Sequence, residues 1–258
     1  MLKELFSLQG KVALVTGGSG DIGKAIADAF AEAGAQLALN GQSEGKLEAA
    51  KHEVSRHGRR VETFLADVGA PAAAKALVAQ VDEAFSGIDV LVNCAGINRR
   101  KPILDVTEDD YEAIMNVHLR GAFFLSQAAA PIMARRGGGK IINIGSATIH
   151  AGIADVSVYG AAKAGMDALT RTMAVEWAEF NIQVNTLAPG FIMTELTREG
   201  LWANEQRSKW LHDRIPMKRA GLPNEMAGVA LLLASNASSY LTGQTIHIDG
   251  GFAAGNKW

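Results

Sequence analysis

A single cysteine, Cys94, leaves the chain nothing to pair with inside itself, so no intrachain disulfide forms and a reducing compartment is expected. Charge of one sign is lacking too. The formal balance is -2, which argues against a nucleic-acid or other polyanionic partner. No window approaches about 18 uninterrupted apolar residues, so no membrane span is expected. The first residues, Met1 to Ser7, show neither a long apolar run nor a small-residue cleavage pattern. No signal peptide is therefore expected, and the protein is expected in the cytoplasm. The histidines at 52, 57, 118, 212 and 247 show no metal-ligand spacing, so no metal is expected. Internal repeats, low-complexity segments and linkers are also missing. What is present is an ordinary globular composition, 48% hydrophobic and 20% charged, in 258 residues. That suits one large α/β domain or two small ones with a sizeable core.

The first informative stretch is Val12-Ala13-Leu14-Val15, a short apolar run, followed by Thr16-Gly17-Gly18-Ser19-Gly20-Asp21-Ile22-Gly23. A helical pattern from Lys24 to Ala33 comes next and stops at Gly34. Strand, glycine turn and helix in this order make a phosphate site, because glycines let the backbone approach and the helix start offers free N–H groups. Gly17, Ser19, Asp21 and Ile22 are its candidates. A second strand, Leu37 to Asn40, ends at Gly41-Gln42-Ser43. Dinucleotide sites usually carry an acid there for the ribose. This one has neither an acid nor an arginine, and Glu44 and Lys46 read as part of the next helix. Helices over 46–57, 72–85, 108–135, 158–180 and 223–234 alternate with strands over 61–66, 88–92, 140–145, 182–187 and 245–248. Such alternation predicts a parallel sheet covered on both faces, with ligands at the carboxyl ends of the strands. The glycine turn, Asp67, Asn93, Ser146 and Pro189 all fall at that edge. The interval 191–218 breaks the alternation and reads as a mobile flap or small helical insertion over the site.

The chemistry-bearing pair is Tyr159 and Lys163. Four residues apart on one helix, they stand on the same face. An ammonium within reach of a phenol favours the phenolate, so the pair can exchange a proton near neutral pH. Ser146 closes the strand before this helix and is placed to hold a substrate oxygen. His150, in the loop after it, is a candidate for substrate hydroxyls.

Together these pieces resemble the short-chain dehydrogenase/reductase family over nearly the whole chain. They are Thr16-Gly17 through Gly23, Asp67-Val68, Asn93-Cys94-Ala95-Gly96, Asn116, Ser146, Tyr159-x-x-x-Lys163, Asn185, Pro189-Gly190 and Asp249-Gly250-Gly251. The resemblance implies a single Rossmann-type doubly wound domain with a seven-stranded parallel sheet and helices on both faces. It implies a nicotinamide dinucleotide and reversible hydride transfer between an alcohol and a carbonyl, without metal. By position, Tyr159 is the expected acid/base, and Ser146 the residue that orients the substrate oxygen. Lys163 is expected to lower the Tyr159 pKa and hold the nicotinamide ribose, and Asn116 to keep a water on a relay from Lys163. Asp67 and Val68 are expected at the adenine, and Asn93, Ala95 and Gly96 along the ribose and diphosphate. Pro189, Gly190, Ile192 and Thr194 are expected at the nicotinamide end, and Gln42 beside the adenosine ribose. The family usually assembles as a homotetramer, which the stretch Gly121–Leu125 and the tail Phe252–Trp258 fit.

Departures from the family pattern also carry information. Asp21 stands where the family usually has glycine, and its carboxylate repels a pyrophosphate unless turned away. The basic residue that NADP members often carry at Gly20 or Gln42 is missing, as is the acid that NAD members often carry at Gly41. Either NAD or NADP is expected, with NAD favoured because no cation stands ready for a 2′-phosphate. Gly96-Ile97-Asn98-Arg99-Arg100 and Asn204 to Ser208 resemble the branch acting on sugar acids, the gluconate 5-dehydrogenases and deoxy-ketogluconate dehydrogenases. Arg99, Arg100, Arg207 and Arg214 are then candidates for a substrate carboxylate. A 3-oxoacyl thioester reductase and a non-catalytic dinucleotide-binding regulator are the alternatives.

Overall fold

The computed structural model describes residues 2–255. Met1 and residues 256–258, the end of the tail expected to take part in assembly, lie outside the described residues. Seven strands form one parallel sheet: β1 (Val12–Thr16), β2 (Gln36–Gly41), β3 (Val61–Leu65), β4 (Val90–Asn93), β5 (Gly139–Ile144), β6 (Ile182–Pro189) and β7 (Thr245–Ile248). Their spatial order is β3-β2-β1-β4-β5-β6-β7. The order reverses between β1 and β4, where an open α/β sheet leaves its crevice.

The strands are apolar on both faces, as a buried parallel sheet requires. Alternate residues divide between two cores. Ala13, Val15, Leu37, Leu39, Val90, Val92, Ile142 and Ile144 join one, and Val12, Leu14, Ala38, Leu91 and Ile141 the other. After a short α1 (Leu2–Leu5), α2 (Asp21–Glu32) and α3 (Glu44–Val54) cover the first face through Ile26, Phe30 and Leu47. On the second face lie α4 (Pro71–Phe85), α6 (Ala122–Arg135) and α7 (Ser157–Glu176), with Leu77, Leu125 and Met173 in its core, while α5 (Glu108–Met115) packs on α7 through Ile114. The expected helix over 108–135 is continuous but is not α-helical throughout. A π-helical turn, Asn116–Gly121, separates α5 from α6. Of the apolar stretch 121–125, Gly121, Ala122 and Leu125 are buried, while Phe123 and Phe124 line an outer groove.

The irregular interval after β6 is helical: α8 (Glu195–Thr197), a π turn at Arg198–Trp202, and α9 (Glu205–Arg214). It has its own apolar underside. Leu201, Leu211 and Ile215 pack on Ala147 and Phe252. The helical pattern over 223–234 becomes a 3₁₀ turn, Pro223–Met226, and α10 (Ala227–Ala234), which returns to the first core. Among the described residues no helix is long and apolar enough to cross a membrane.

Candidate active site

A cleft of about 680 Å³ runs along the carboxyl edge of the sheet, from the ends of β2 and β3 across the crevice to the ends of β5 and β6. Its first part is made of backbone. Gly17 has φ +64°, and a Cβ there would lie 2.9 Å from Ala95 Cα. A Cβ on Gly23 would lie 2.3 Å from the Gly17 carbonyl oxygen. Both positions therefore need glycine. Helix α2 starts here with Gly20 as its N-cap and no side chain capping it. Its first N–H groups are left for an anion, so the residues present fit a dinucleotide diphosphate. Thr16 Oγ1 accepts from the N–H groups of Cys94 (3.1 Å) and Ala95 (3.2 Å), which pins the β4 loop to the end of β1.

Tyr159, Lys163 and Ser146 meet farther along the same cleft. Lys163 Nζ lies 5.7 Å from the centroid of the Tyr159 ring. The ammonium is directed into the sheet and donates to the Ile144 carbonyl. Burial brings the Lys163 pKa down to about 8. Burial raises the phenol of Tyr159, and the Ser146 hydroxyl and then Arg100 act to lower it. This corrects the expectation: burial dominates and holds the phenol above its ordinary value, Ser146 and Arg100 oppose it, and Lys163, whose ammonium donates to the Ile144 carbonyl, is not among the lowering influences.

His118 also touches this group, and sequence reasoning passed over it. Its ring meets Tyr159 edge-on, centroids 5.1 Å apart, and Nε2 lies 2.7 Å from the Ile97 carbonyl. Nδ1 is buried without a partner. Burial first, then the nearby Lys163, brings its pKa down to about 3, so the ring is neutral. The π turn explains its position. That turn shifts the helical phase, so Val117 and His118 line the cleft. The Asn116 side chain instead lies on the outer face, between Glu112 Oε2 (3.3 Å) and Arg120 Nη1 (3.3 Å).

Most of the expected dinucleotide residues line the cleft: Gly17, Ser19, Asp21, Ile22, Gln42, Val68, Ala95, Gly96, Pro189, Gly190, Ile192 and Thr194. Asp67 and Asn93 do not. Asp67 turns back to accept from the Gly69 N–H at 2.9 Å. Asn93 points beneath the cleft, donating to Asn143 Oδ1 (2.8 Å) and Ser126 Oγ (3.1 Å). Asn143 in turn donates to Thr170, which bonds to Thr186, so a polar ladder crosses the sheet interior. Asn185 is also structural, holding Leu241 and Gln244 of the turn before β7. The Asp21 carboxylate accepts from the Glu195 N–H at 2.6 Å, so it is committed to the start of α8.

The expected substrate residues divide similarly. Arg99 is bound to Asp110 (3.2 Å), and His150 lies tilted beside His247, centroids 5.0 Å apart. Neither lines the cleft. Arg100 does, and it interacts electrostatically with Tyr159, Arg207 and Asp155. Arg207 bonds to the Gly200 carbonyl (2.9 Å) and to Asp155 (3.4 Å), joining the helical insertion to the 151–156 loop. Lys46, in the first turn of α3, lines the cleft beside Gly41 and Gln42. A cation therefore stands near the end of β2, where the expected preference for NAD assumed none. Its signal was only its distance from the strand end. Cys94 also lines the cleft, and burial pushes its thiol up to about 11. It is therefore a poor nucleophile.

The family model described as enoyl-(acyl carrier protein) reductase matches residues 18–253. The chain is 42% identical over 255 residues to 2-dehydro-3-deoxy-D-gluconate 5-dehydrogenase of Escherichia coli K12, covering 98% of this chain and 100% of that one. It is 38% identical over 248 residues to gluconate 5-dehydrogenase of Gluconobacter oxydans, covering 96% of each. A crystal structure of gluconate 5-dehydrogenase from Burkholderia cenocepacia, in complex with NADP and tartrate, superposes with a TM-score of 0.94 at 38% identity, covering 98% of this chain and 99% of that one.

Proposed function

This chain belongs to the short-chain dehydrogenase/reductase family, and on that footing we propose that it interconverts a secondary alcohol and a ketone of a gluconate-type sugar acid, with NADP as the favoured dinucleotide. The observation that carries this reading is the convergence of Tyr159, Ser146 and Lys163 at one end of a cleft whose other end is a glycine cradle. The bound dinucleotide supplies the acceptor, or in reverse the donor, of the hydride. Every other step falls to side chains.

In oxidation, Tyr159 Oη takes the proton of the substrate hydroxyl while the C–H electron pair leaves as hydride, and the ketone remains. In reduction, the phenol returns that proton to the carbonyl oxygen. Ser146 Oγ holds the same oxygen, with its geometry set by the Thr148 N–H donating to it at 3.1 Å. Lys163, its ammonium held by the Ile144 carbonyl at the strand end, orders the ribose. Arg100 supplies a planar cation for the substrate carboxylate. The nearby Asp155–Arg207 pair ties the loop to the helical insertion, which acts as the substrate flap. Lys46 meets the 2′-phosphate, and a solved relative in complex with NADP supports that preference.

Initial rates across sugar acids and polyols, with NAD and NADP side by side, test this reading. We expect the highest kcat/KM for a sugar acid with NADP. Tyr159→Phe is expected to keep dinucleotide binding and lose turnover by about 10²- to 10⁴-fold. Full turnover in that variant would remove the phenol from its role.

A further inference from the structure

The adenosine end of the cleft holds a charge arrangement that spans the fold. Lys46 Nζ donates to both carboxylate oxygens of Glu195, at 3.0 and 3.3 Å, across 149 residues of sequence. Both side chains line the cleft, together with Gly41, Gln42 and Ser19. Glu195 is the first residue of α8, and its N–H is held by Asp21. The cation beside the ribose position is thus already paired with a carboxylate of the insertion, whose backbone is anchored to the glycine turn.

We propose that Glu195 is a cofactor-specificity residue that competes with the 2′-phosphate of NADP for the Lys46 ammonium. This rests on the reading of the cleft as a dinucleotide site with Lys46 at the 2′ position. The physical case is one of unequal competitors. The Lys46 and Glu195 side chains are 61% and 81% exposed, a setting in which an ion pair contributes little and exchanges readily. A phosphate monoester carries about -1.5 to -2 charges at neutral pH and three acceptor oxygens, against one charge on the carboxylate. NADP therefore takes Lys46 and leaves Glu195 beside a like charge. Because Asp21 keeps the Glu195 backbone in place, the displaced carboxylate stays close and its repulsion persists. NAD has no group to offer Lys46, so it leaves the Lys46–Glu195 bridge closed and α8 held at two points. Glu195 thus taxes NADP alone, and narrows a preference that Lys46 would otherwise make wide.

Calorimetric titration of the full chain with NADP⁺ and with NAD⁺, in the absence of substrate, tests this. Lys46→Met should weaken NADP⁺ about tenfold or more and leave NAD⁺ within about twofold. Glu195→Gln should tighten NADP⁺ about two- to fivefold without tightening NAD⁺. In a Lys46→Met background, Glu195→Gln should keep only the part of that gain that comes from direct repulsion of the phosphate, because the competition for the ammonium is gone. A Glu195→Gln change of equal size for both dinucleotides, or one unaltered by Lys46→Met, would overturn the proposal. If Lys46→Met leaves NADP⁺ binding intact, the assignment of Lys46 falls and the proposal with it. Failure of every sugar acid as substrate leaves the titration, and so this inference, standing.

Discussion

Along the diphosphate edge of the cleft, Gly17 and Gly23 bring main chain against main chain. Around the insertion, Arg207 reaches Asp155 at the substrate end, Lys46 reaches Glu195 at the adenosine end, and Arg100 stands between charges of both signs. The first region is rigid because its fit is steric and local. The second is held by solvent-screened ion pairs between segments far apart in sequence, each of which is weak alone. Substrate and cofactor choice can therefore change in the second region without disturbing the first.

That contrast can be broken on the cradle side with Gly23→Ala. The added methyl meets backbone rather than a side chain that can swing away. Overpacking of this kind costs about 1–3 kcal/mol. We expect dinucleotide affinity to fall at least tenfold and the melting temperature to drop by several degrees. Gly45→Ala, inside α3 where nothing lies within 4 Å of the new methyl, should lower neither. Isothermal titration and thermal melts separate the two cases, and equal behaviour would refute the steric account.

A second test concerns His118, at the boundary of the two regions. Its folded pKa of about 3 lies below the ordinary 6.5. Between those values the unfolded chain binds more protons, so the native state loses stability as pH falls from about 6.5 toward 3. At pH 5 the loss is on the order of 2 kcal/mol. His118→Gln removes this share, so the variant should lose less stability than the parent between pH 7.5 and pH 5 in urea melts. Parallel curves would mean that the ring is not the buried neutral group described here.

The smallest effect is expected on the insertion itself. Arg207→Ala removes a partly exposed pair and one hydrogen bond to Gly200. KM for substrate should rise about two- to fivefold, with kcat and dinucleotide affinity unchanged. A loss of dinucleotide affinity as large as that of Gly23→Ala would erase the distinction between the regions.

Legibility in the sequence follows the same division. The strand–turn–helix unit and the parallel sheet were readable because period and glycine placement are local signals. The number of strands and the roles of Tyr159, Ser146 and Lys163 came through resemblance. The expectation of Asp67 and Asn93 at the dinucleotide also rests on the resemblance. A strand buried on both faces gives no sign of which way its last side chain turns. The relay role expected of Asn116 also rests on the resemblance, and helical spacing gives no sign of the π turn that leaves its side chain on the outer face and brings His118 to the cleft. Lys46 reads in the sequence as a helix residue, although the first turn of α3 returns it to the end of β2. The choice between Arg99 and Arg100 rests on Asp110, which binds the first and leaves the second to the cleft.

The polar ladder from Asn93 through Asn143 and Thr170 to Thr186 has a mechanical consequence. Parallel strands rich in Val and Ile offer much the same surface after a two-residue slip, so greasy contacts alone index their alignment poorly. Four interlocked amide and hydroxyl groups tolerate no such slip, since any displacement strands buried donors in an apolar interior. The ladder thus works as an alignment key at the middle of the sheet, keeping Ser146, at the end of one strand, level with the loop that follows another.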